Sequence, residues 1–310
     1  MSTLAIGVDI GGTKGAVSRI DCETWEIQAK EVFAAPESLK GYLDAIKDAI
    51  DSLAIDAPAG VGISCGGPLD SRTGVVHAPP HLPVWDGVPI ADILTQHCGC
   101  PALLQNDANA GALAEWYWGA GRGCDDLVFI TFGTGFGAGI IANGALVEGH
   151  TGQAGEIGHI RLHDAGPRAY GKAGSVEAFC SGGGIAAQYR CAAEELFAAA
   201  RAGKLDAHRL VREIGRHAGE AVAIAVDLLN PEVVVLGGIY SRNVDLLEEP
   251  VIEGLTTQAL PRNAAAVELR PATLGEAIGD YACMAIVRLL TEPTTPSGKP
   301  DDRFPRRESR

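Results

Sequence analysis

The chain has 310 residues, enough for two domains of ordinary size, and its 46% hydrophobic and 21% charged residues are typical of a globular protein. Its formal net charge of −14 argues against general nucleic-acid binding, which relies on basic surface, and requires that any phosphate ligand be held by local amides and a metal ion. The eight cysteines have no disulfide or zinc spacing, no apolar run is long enough for a bilayer, and the first strand begins too early for a signal peptide, so we expect a cytoplasmic protein.

The first predicted feature is a strand, a glycine turn and a second strand. Between the predicted strands lie Asp9, Gly11, Gly12, Thr13 and Lys14. Adjacent glycines let backbone N–H groups approach a phosphate, Thr13 and Lys14 add a hydroxyl and a cation, and Asp9 could hold Mg²⁺ directly or through water. A plain hairpin turn is the simpler alternative. A Walker A loop is excluded, because G-x-x-x-x-G-K-[ST] is absent.

An amphipathic helix is predicted over residues 38–53, followed by a buried strand over 61–65 that runs into Gly66 and Gly67. Ser64 formally fits G-x-S-x-G, the nucleophile elbow of hydrolases. That elbow requires a helix after the serine, whereas Gly67-Pro68 predicts another turn. A glycine loop against which a ligand packs is therefore the preferred interpretation.

Two histidines, His77 and His81, have helical spacing but not a helical context. Pro79 and Pro80 lie between them and forbid a helix that would bring both imidazoles to one face. We interpret both as loop residues and not as metal ligands.

Asn106 and Asp107 lie where an apolar strand ends and an Ala-rich helix begins. An aspartate at such a junction is a natural helix cap, because its side chain accepts a backbone N–H bond. The alternative is a general base, since α/β sheets usually place their chemistry at strand–helix junctions. The helix N-terminus should lower the pKa of Asp107.

A second strand–glycine–strand unit follows the strand predicted at 126–131. Gly133, Gly135 and Ala138 fit a permissive dinucleotide fingerprint, but that motif must open a helix, and Asn143-Gly144 predicts a hairpin instead. Two such units about 120 residues apart suggest a duplicated design for binding phosphates.

Further candidate ligands follow in glycine-rich loops. Glu156 and His159 could face one small polar ligand, or both could simply be solvated. Glu177 opens a helix, a long helix is expected over 185–200, and a buried strand ends at Gly237 and Gly238. Residues 293–310, rich in proline and charge, are predicted to form a disordered tail.

Five of these motifs stand in the order found in the ROK family of sugar kinases and sugar-responsive repressors, which the chain resembles over nearly its whole length. They are Asp9-Ile-Gly-Gly-Thr-Lys14, Asn106-Asp107-Ala-Asn109, Gly133-Thr-Gly135, Glu156-Ile-Gly-His159 and Leu236-Gly-Gly238. Segments 82–85 and 114–121 look most like those of bacterial glucokinases. The resemblance implies an α/β, two-domain actin-like or hexokinase-like (ribonuclease H-like) fold with an interdomain active-site cleft. We expect a small domain of residues 1–115 plus 280–292 and a large domain of residues 116–279.

The resemblance also implies roles for individual residues. Asp107 would accept the proton of the reacting sugar hydroxyl, and Asp9 would help to place Mg²⁺. The sugar would be bound by Asn106, Asp107, Glu156, His159 and Glu177, with Gly67 packing nearby. ATP would be bound by Gly11, Gly12, Thr13, Lys14, Thr134, Gly135, Gly237 and Gly238. Glycine amides, a lysine and Mg²⁺ suit phosphoryl transfer, which depends mainly on positioning and charge stabilisation.

One departure from the family concerns zinc. Members of the family commonly carry three cysteines after the Gly-His motif, which bind structural zinc together with the histidine. Here the matching positions are Arg168, Tyr170 and Ser175, so a Cys₃His site cannot form. We expect no structural zinc, and expect packing or hydrogen bonds to hold this loop.

The favoured activity is an ATP-dependent kinase that phosphorylates the 6-hydroxyl of a hexose, with glucose as the first candidate. N-acetylglucosamine, N-acetylmannosamine, mannose, fructose and allose remain alternative substrates, and polyphosphate is an alternative donor. A sugar-sensing repressor is disfavoured, because a strand expected at residue 4 leaves no room for an N-terminal helix-turn-helix. The expected ligands are a sugar and ATP, without nucleic acid or membrane, in a homodimer.

Overall fold

Two five-stranded sheets form the framework of the protein, which we describe from a computed structural model covering residues 3–292. The tail predicted at 293–310 lies outside the described residues. The strands are β1 (Leu4–Ile10), β2 (Lys14–Asp21), β3 (Glu26–Ala34), β4 (Val61–Cys65), β5 (Leu69–Asp70), β6 (Val75–His77), β7 (Asp86–Val88), β8 (Ala102–Asn106), β9 (Leu127–Phe132), β10 (Phe136–Ala142), β11 (Ala145–Leu146), β12 (Arg168–Ala169), β13 (Lys172–Ala173), β14 (Val233–Leu236) and β15 (Glu268–Pro271).

The helices lie mainly between and outside these sheets. They are α1 (Leu39–Ser52), α2 (Ile90–Cys98), α3 (Asp107–Tyr117), α4 (Val176–Cys180), α5 (Gly182–Tyr189), α6 (Ala193–Arg201), α7 (Leu205–Leu229), α8 (Ile239–Arg242), α9 (Val244–Gln258), α10 (Pro261–Ala266) and α11 (Ile278–Thr291), with short 3-10 helices at Ile157–His159 and Gly275–Ala277.

The two sheets have the same topology. The first has the order β3-β2-β1-β4-β8 and the second β11-β10-β9-β14-β15. In each sheet, the three strands that come first in the chain pair antiparallel with one another. The other two strands run parallel to the first of these three. This repeat confirms that the strand–glycine–strand unit is duplicated, and it is the two-domain actin-like, ribonuclease H-like architecture. Phosphate binding by the two units remains a prediction. The limits given above for each domain remain a prediction.

The parallel strands explain why the predicted loops come together. Ile10 pairs with Cys65, and Cys65 pairs with Asn106, so β1, β4 and β8 end at one edge of the first sheet. Ile130 and Pro271 flank Leu236 in the same way in the second sheet. Each of these strands is followed by a glycine or polar segment, as expected for α/β sheets that bind ligands at the carboxyl ends of their strands.

Helices α3 and α11 pack against each other and join the two halves. Helix α3 continues directly from β8 of the first sheet, yet it packs on β9 and β10 of the second. Helix α11 follows the second sheet and packs on β1, β4 and β8 of the first. The catalytic candidate Asp107 therefore begins the helix that connects the halves.

Two predictions of local structure need correction. The helix expected over 185–200 is two helices, because Arg190 takes a left-handed conformation (φ 55°) that ends α5. Strand β3 extends the first sheet beyond the hairpin that the sequence predicted. Within residues 3–292, no helix combines the length and the apolar character needed to cross a bilayer.

Candidate active site

Asn106 caps helix α3, and Asp107 is its first residue. The Asn106 side chain accepts a hydrogen bond of 2.9 Å from the Ala108 amide, and Asp107 Oδ1 accepts from the same amide at 2.8 Å. The expectation that Asp107 is the cap is therefore wrong, although its side chain is held by the same helix start. The Asp107 carboxyl group is fixed on one side and exposed to the cleft on the other.

A network of hydrogen bonds between largely buried polar groups fixes the backbone of Asn106. Gln105 Oε1 accepts hydrogen bonds from the Asn106 amide and from the Asn109 side chain, while Gln105 Nε2 donates to Glu148. Glu148 Oε1 also accepts from Ser71 Oγ at 2.9 Å. Sequence reasoning missed Gln105 and Glu148, because their link across 43 residues is visible only in the fold.

The pKa of Asp107 is raised to about 6, opposite to the lowering that we expected from the helix N-terminus. Burial within the cleft walls is the largest cause, and the nearby carboxylates of Asp9 and Glu156 add to it, whereas the hydrogen bond from Ala108 opposes it. The residue is exposed to the cleft, yet the protein atoms that surround its carboxyl group disfavour the ionised form. A carboxylate with this pKa is ionised at neutral pH and can accept a proton.

The predicted sugar ligands meet beside Asp107. A Cβ at Gly67 would lie 3.2 Å from Asn106 Nδ2 and 4.0 Å from Glu156 Oε1, and one at Gly66 would lie 3.8 Å from Asp107 Oδ2. The glycine loop after β4 therefore packs against these polar groups, as the sequence suggested. Side chains with both donor and acceptor capacity suit a sugar, whose hydroxyls each donate and accept.

Glu156 and His159 lie on one short turn. Glu156 precedes the 3-10 helix that ends at His159, and His159 Nε2 lies 3.8 Å from Glu156 Oε2. Buried Ile157 anchors the turn, and the Gly155 carbonyl accepts from the Ala138 amide of β10. Both side chains are exposed to solvent and are therefore accessible to a diffusible ligand.

Glu177 lies in the first turn of α4, close to the second glycine loop. Its Oε2 accepts a hydrogen bond of 3.1 Å from the Phe136 amide, and a Cβ at Gly135 would lie 3.2 Å from the same oxygen. Burial raises the pKa of Glu177, against the opposing effects of this hydrogen bond and of His159 and His81. The carboxylate therefore lies between the predicted sugar ligands and the second glycine loop.

The first glycine turn is fixed by contacts to its carbonyls. The Gly11 carbonyl accepts from the buried Tyr42 hydroxyl at 2.9 Å, and the Thr13 carbonyl accepts from the Ala35 amide. A Cβ at Gly12 would lie 2.5 Å from His81 Cβ, so the loop between β6 and β7 covers this turn. The sequence predicted that His81 lies in a loop, but it did not indicate this contact.

The second glycine loop is held in the same way. The Gly133 carbonyl accepts from the Gly182 amide, the Thr134 carbonyl from the Gly183 amide, and the Gly135 carbonyl from the Gly133 amide. All three carbonyls are thus occupied within the protein. An anionic ligand would meet the amide side of the loop and the exposed Thr134 hydroxyl.

A cavity of about 240 Å³ connects Asp107 with the predicted nucleotide side. Its lining includes Asp9, Ser64, Asp107, Gly237 and Gly238. A carboxylate pair and a hydroxyl are oxygen donors of the kind that Mg²⁺ prefers, so these residues fit a magnesium ion.

Asp9 is partly buried in this cavity. Burial raises the pKa of Asp9, while the cations Lys30 and Lys14 oppose that rise and Asp280 adds to it. Lys30 Nζ donates to Asp280 Oδ1 at 2.6 Å. The cations of β2 and β3 thus favour an ionised Asp9 that could hold a metal.

The loop that lacks the family's cysteines is held by hydrogen bonds. Arg161 and Ser175 form a bridge, the Gly174 amide donates to the Pro167 carbonyl, and Ser175 Oγ accepts from the Ala178 amide to cap α4. Arg168, Tyr170 and Ser175 supply no thiolates, so the Cys₃His zinc site does not fit this chain. The hydrogen bonds confirm the prediction that packing or hydrogen bonds would hold this loop.

The hydrolase interpretation is excluded by local structure. Ser64 is buried within β4, and the following segment forms a cis Gly67-Pro68 peptide and strand β5, without the helix that a nucleophile elbow requires. The dinucleotide fingerprint fails in the same way, because Gly133 and Gly135 lie in the β9–β10 hairpin.

Comparisons with known proteins agree with this arrangement. A glucokinase of Halalkalibacterium halodurans is 32% identical over 88% of this chain and 92% of its own length. An N-acetylglucosamine repressor of Escherichia coli is 30% identical over 83% of this chain and 68% of the repressor.

Solved structures show the same fold. A ROK hexokinase from Thermus thermophilus superposes with a TM-score of 0.80 at 31% identity, covering 93% of this chain and 98% of the other. A ROK family glucokinase from Streptomyces griseus, in complex with glucose and AMPPNP, gives a TM-score of 0.73 at 31% identity over 92% and 98%. The model of the ROK family matches residues 5–288. The chain therefore belongs to the ROK family.

Proposed function

We propose that this protein is an ATP-dependent hexose kinase that phosphorylates the 6-hydroxyl of glucose with Asp107 as the general base. One observation supports this above all. Asp107 lies between the cleft that holds Asn106 and Glu156 and the cavity that holds Asp9, Gly237 and Gly238. This position supports the proposal that its carboxylate meets a sugar hydroxyl beside a nucleotide phosphate.

In the proposed reaction, Asn106, Glu156, His159 and Glu177 bind the hydroxyls that do not react. Asp107 accepts the proton of the 6-hydroxyl as the oxygen attacks the γ-phosphorus, and ADP leaves. Because the proton moves late in such reactions, an ionised carboxylate with a pKa of about 6 is sufficient at neutral pH.

Nucleotide binding is assigned to the two glycine loops and the Gly237-Gly238 turn. The amides of Gly12 and Gly135 would face the outer phosphates, and the hydroxyls of Thr13 and Thr134 and the Lys14 ammonium would add donors. The Gly11 amide donates to the Lys14 carbonyl, so Gly11 would shape the turn around the phosphates. Mg²⁺ near Asp9 would neutralise charge on the phosphates. The Streptomyces griseus glucokinase, solved with glucose and AMPPNP, supports ATP as the donor.

The identity of the sugar depends on two segments. Residues 77–85 cover the first glycine turn, and residues 161–170 approach His159 through Tyr170, whose ring lies 5.0 Å from the imidazole. N-acetylglucosamine, N-acetylmannosamine, mannose, fructose and allose are the alternatives to glucose. We further propose a cytoplasmic homodimer whose ligands are a sugar and ATP, without nucleic acid or membrane.

The test is ADP release measured over a panel of hexoses and N-acetylhexosamines, with Asp107→Asn alongside. We expect glucose to give the highest kcat/KM, and Asp107→Asn to lower kcat by about 10²–10⁴-fold because a positioned base is lost. A repressor without kinase activity is the second candidate, since an E. coli repressor is 30% identical. Sugar binding without turnover of any sugar on the panel would support that candidate instead.

A further inference from the structure

Three possible metal ligands meet where the 161–175 loop contacts helix α7. His163 comes from the loop, and His217 and Glu220 lie three residues apart on one face of α7. His163 Nε2 lies 3.2 Å from Glu220 Oε2 and 3.4 Å from His217 Nδ1, and His217 Nδ1 lies 3.1 Å from Glu220 Oε2.

These separations are within about 0.2 Å of the edges of a tetrahedral metal site. Zinc binds histidine nitrogen and carboxylate oxygen at about 2.0–2.2 Å, so two ligands of one tetrahedral ion lie about 3.3–3.6 Å apart. The three ligand atoms of this cluster are 3.1–3.4 Å apart. Two imidazoles and a carboxylate are also a donor set that zinc commonly takes, with the fourth position left to water.

Surrounding residues hold the three ligands in place. Only 12% of the His217 side chain and 6% of the Glu220 side chain are exposed, whereas His163 is 44% exposed and gives access from solvent. The other Glu220 oxygen, Oε1, accepts from Arg216 at 3.0 Å, which leaves Oε2 for the histidines. The Phe179 ring stacks 4.1 Å from His217 and meets His163 edge-on at 5.5 Å. Such outer contacts orient metal ligands.

We propose that His163, His217 and Glu220 bind a zinc ion that ties the 161–175 loop to helix α7. The same loop has lost the three cysteines of the family site, and Ser175 at its end begins helix α4, which carries Glu177. An ion at His163 would stabilise the loop from a different side. It would also overturn our expectation that the chain binds no structural zinc.

The alternative is a hydrogen-bonded cluster without metal, in which both histidines donate to Glu220 Oε2. The two arrangements differ in their response to added metal. The experiment strips untagged, full-length protein with a chelator, then titrates it with Co²⁺ and Zn²⁺ and measures metal content after dialysis, visible absorption of the cobalt form, and Tm.

Two variants and one matched control separate this site from adventitious binding at the free cysteines. His163→Ala changes a half-exposed loop residue, Glu220→Gln removes the carboxylate charge, and His208→Ala removes an exposed histidine from the same helix. We expect wild type and His208→Ala to bind one ion per chain with a tetrahedral cobalt spectrum and a zinc-dependent rise in Tm. His163→Ala and Glu220→Gln should lose all three signals.

Two results would overturn the proposal. Wild type that stays metal-free after titration would leave only the hydrogen-bonded cluster. Metal that His163→Ala retains with an unchanged spectrum would place the ion elsewhere. Because the Tm is compared with and without zinc for each variant, a general loss of stability in Glu220→Gln does not affect the conclusion.

Discussion

Glu177 accepts a 3.1 Å hydrogen bond from the amide of Phe136, the first residue of β10. The bond joins a carboxylate assigned to the sugar with the end of the loop assigned to phosphate. Burial raises the pKa of Glu177, so the hydrogen bond from Phe136 helps to keep this carboxylate ionised. Sugar binding and nucleotide binding should therefore depend on one side chain.

Glu177→Ala should raise KM for both the sugar and ATP. A hydrogen bond to a charged group contributes about 1.5–3 kcal/mol, so each KM should rise by about tenfold or more. Glu177→Gln keeps an acceptor for Phe136 and should restore KM for ATP but not KM for the sugar. Steady-state kinetics with each substrate varied in turn gives the measurement.

Glu156→Ala is the matched control, because Glu156 lies on the sugar side and contacts neither glycine loop by a hydrogen bond within residues 3–292. It should raise KM for the sugar alone. Equal effects of Glu156→Ala and Glu177→Ala on KM for ATP would show that the Phe136 bond does not couple the two sites.

Catalysis should fall as pH falls through the pKa of Asp107. That pKa is about 6 in the folded protein, raised from 3.8, and the base must be ionised to accept a proton. We expect kcat/KM for the sugar to be constant above about pH 7 and to decrease tenfold per pH unit well below pH 6. A profile that stays flat down to pH 5 would contradict the assignment.

The same raised pKa predicts that Asp107→Asn, although it lowers activity, makes the protein more stable at neutral pH. A carboxyl group whose pKa is raised on folding stabilises the protein fully below its unfolded pKa, and this contribution is lost as pH rises through the folded value. Ionised Asp107 therefore destabilises the fold at neutral pH, so Asp107→Asn should have a higher Tm than wild type at pH 7–8. The difference should shrink as pH falls and vanish below the unfolded pKa of 3.8. A lower Tm for Asp107→Asn at neutral pH would contradict it.

Local sequence patterns predicted much of the candidate site. The glycine turns at Gly11 and Gly133 and the strand end at Asn106 were all predictable, because strand–glycine patterns and strand–helix junctions have short-range signals. The direction of the Asp107 pKa shift could not be predicted from local sequence. The helix N-terminus is visible in the sequence, but the burial of the carboxyl group, which is the largest cause of the rise, comes from the fold. So does the approach of Asp9 and Glu156, some 98 and 49 residues away in the chain.

The break between α5 and α6 was hidden for a different reason. Arg190 ends α5 in a left-handed conformation, which glycine or asparagine usually supplies, and neither residue lies at 190–192. The contact of His81 with Gly12 depends on how a long loop folds back over the first turn. Such contacts have no periodic signal.

The contact between His81 and Gly12 predicts the effect of replacing Gly12. An alanine methyl at this position would lie 2.5 Å from His81 Cβ and 3.0 Å from the His81 carbonyl oxygen, so the turn or the loop must move. Gly12→Ala should raise KM for ATP by about tenfold or more and leave KM for the sugar less changed. Adding His81→Gly removes the nearest atom and should recover part of the loss. No recovery in the double variant would show that another contact dominates.

Glu115 should matter for stability, because it joins three segments from a fully buried position. Its Oε1 accepts from the Thr273 and Leu274 amides, and its Oε2 accepts from the Ala120 amide and the Thr273 hydroxyl. Glutamine replaces one acceptor oxygen with a donor, so at least one buried amide loses its partner.

Glu115→Gln should therefore lower the free energy of unfolding by about 1–3 kcal/mol, the cost of an unsatisfied buried group. Glu253→Gln is the control, since Glu253 forms an ion pair with Arg212 at the surface and should change stability by less than about 1 kcal/mol. Urea denaturation followed by circular dichroism measures both. Equal stabilities of the two variants would mean that the 120 and 273 segments find other acceptors, and the connection between α3 and the end of β15 would then not depend on Glu115.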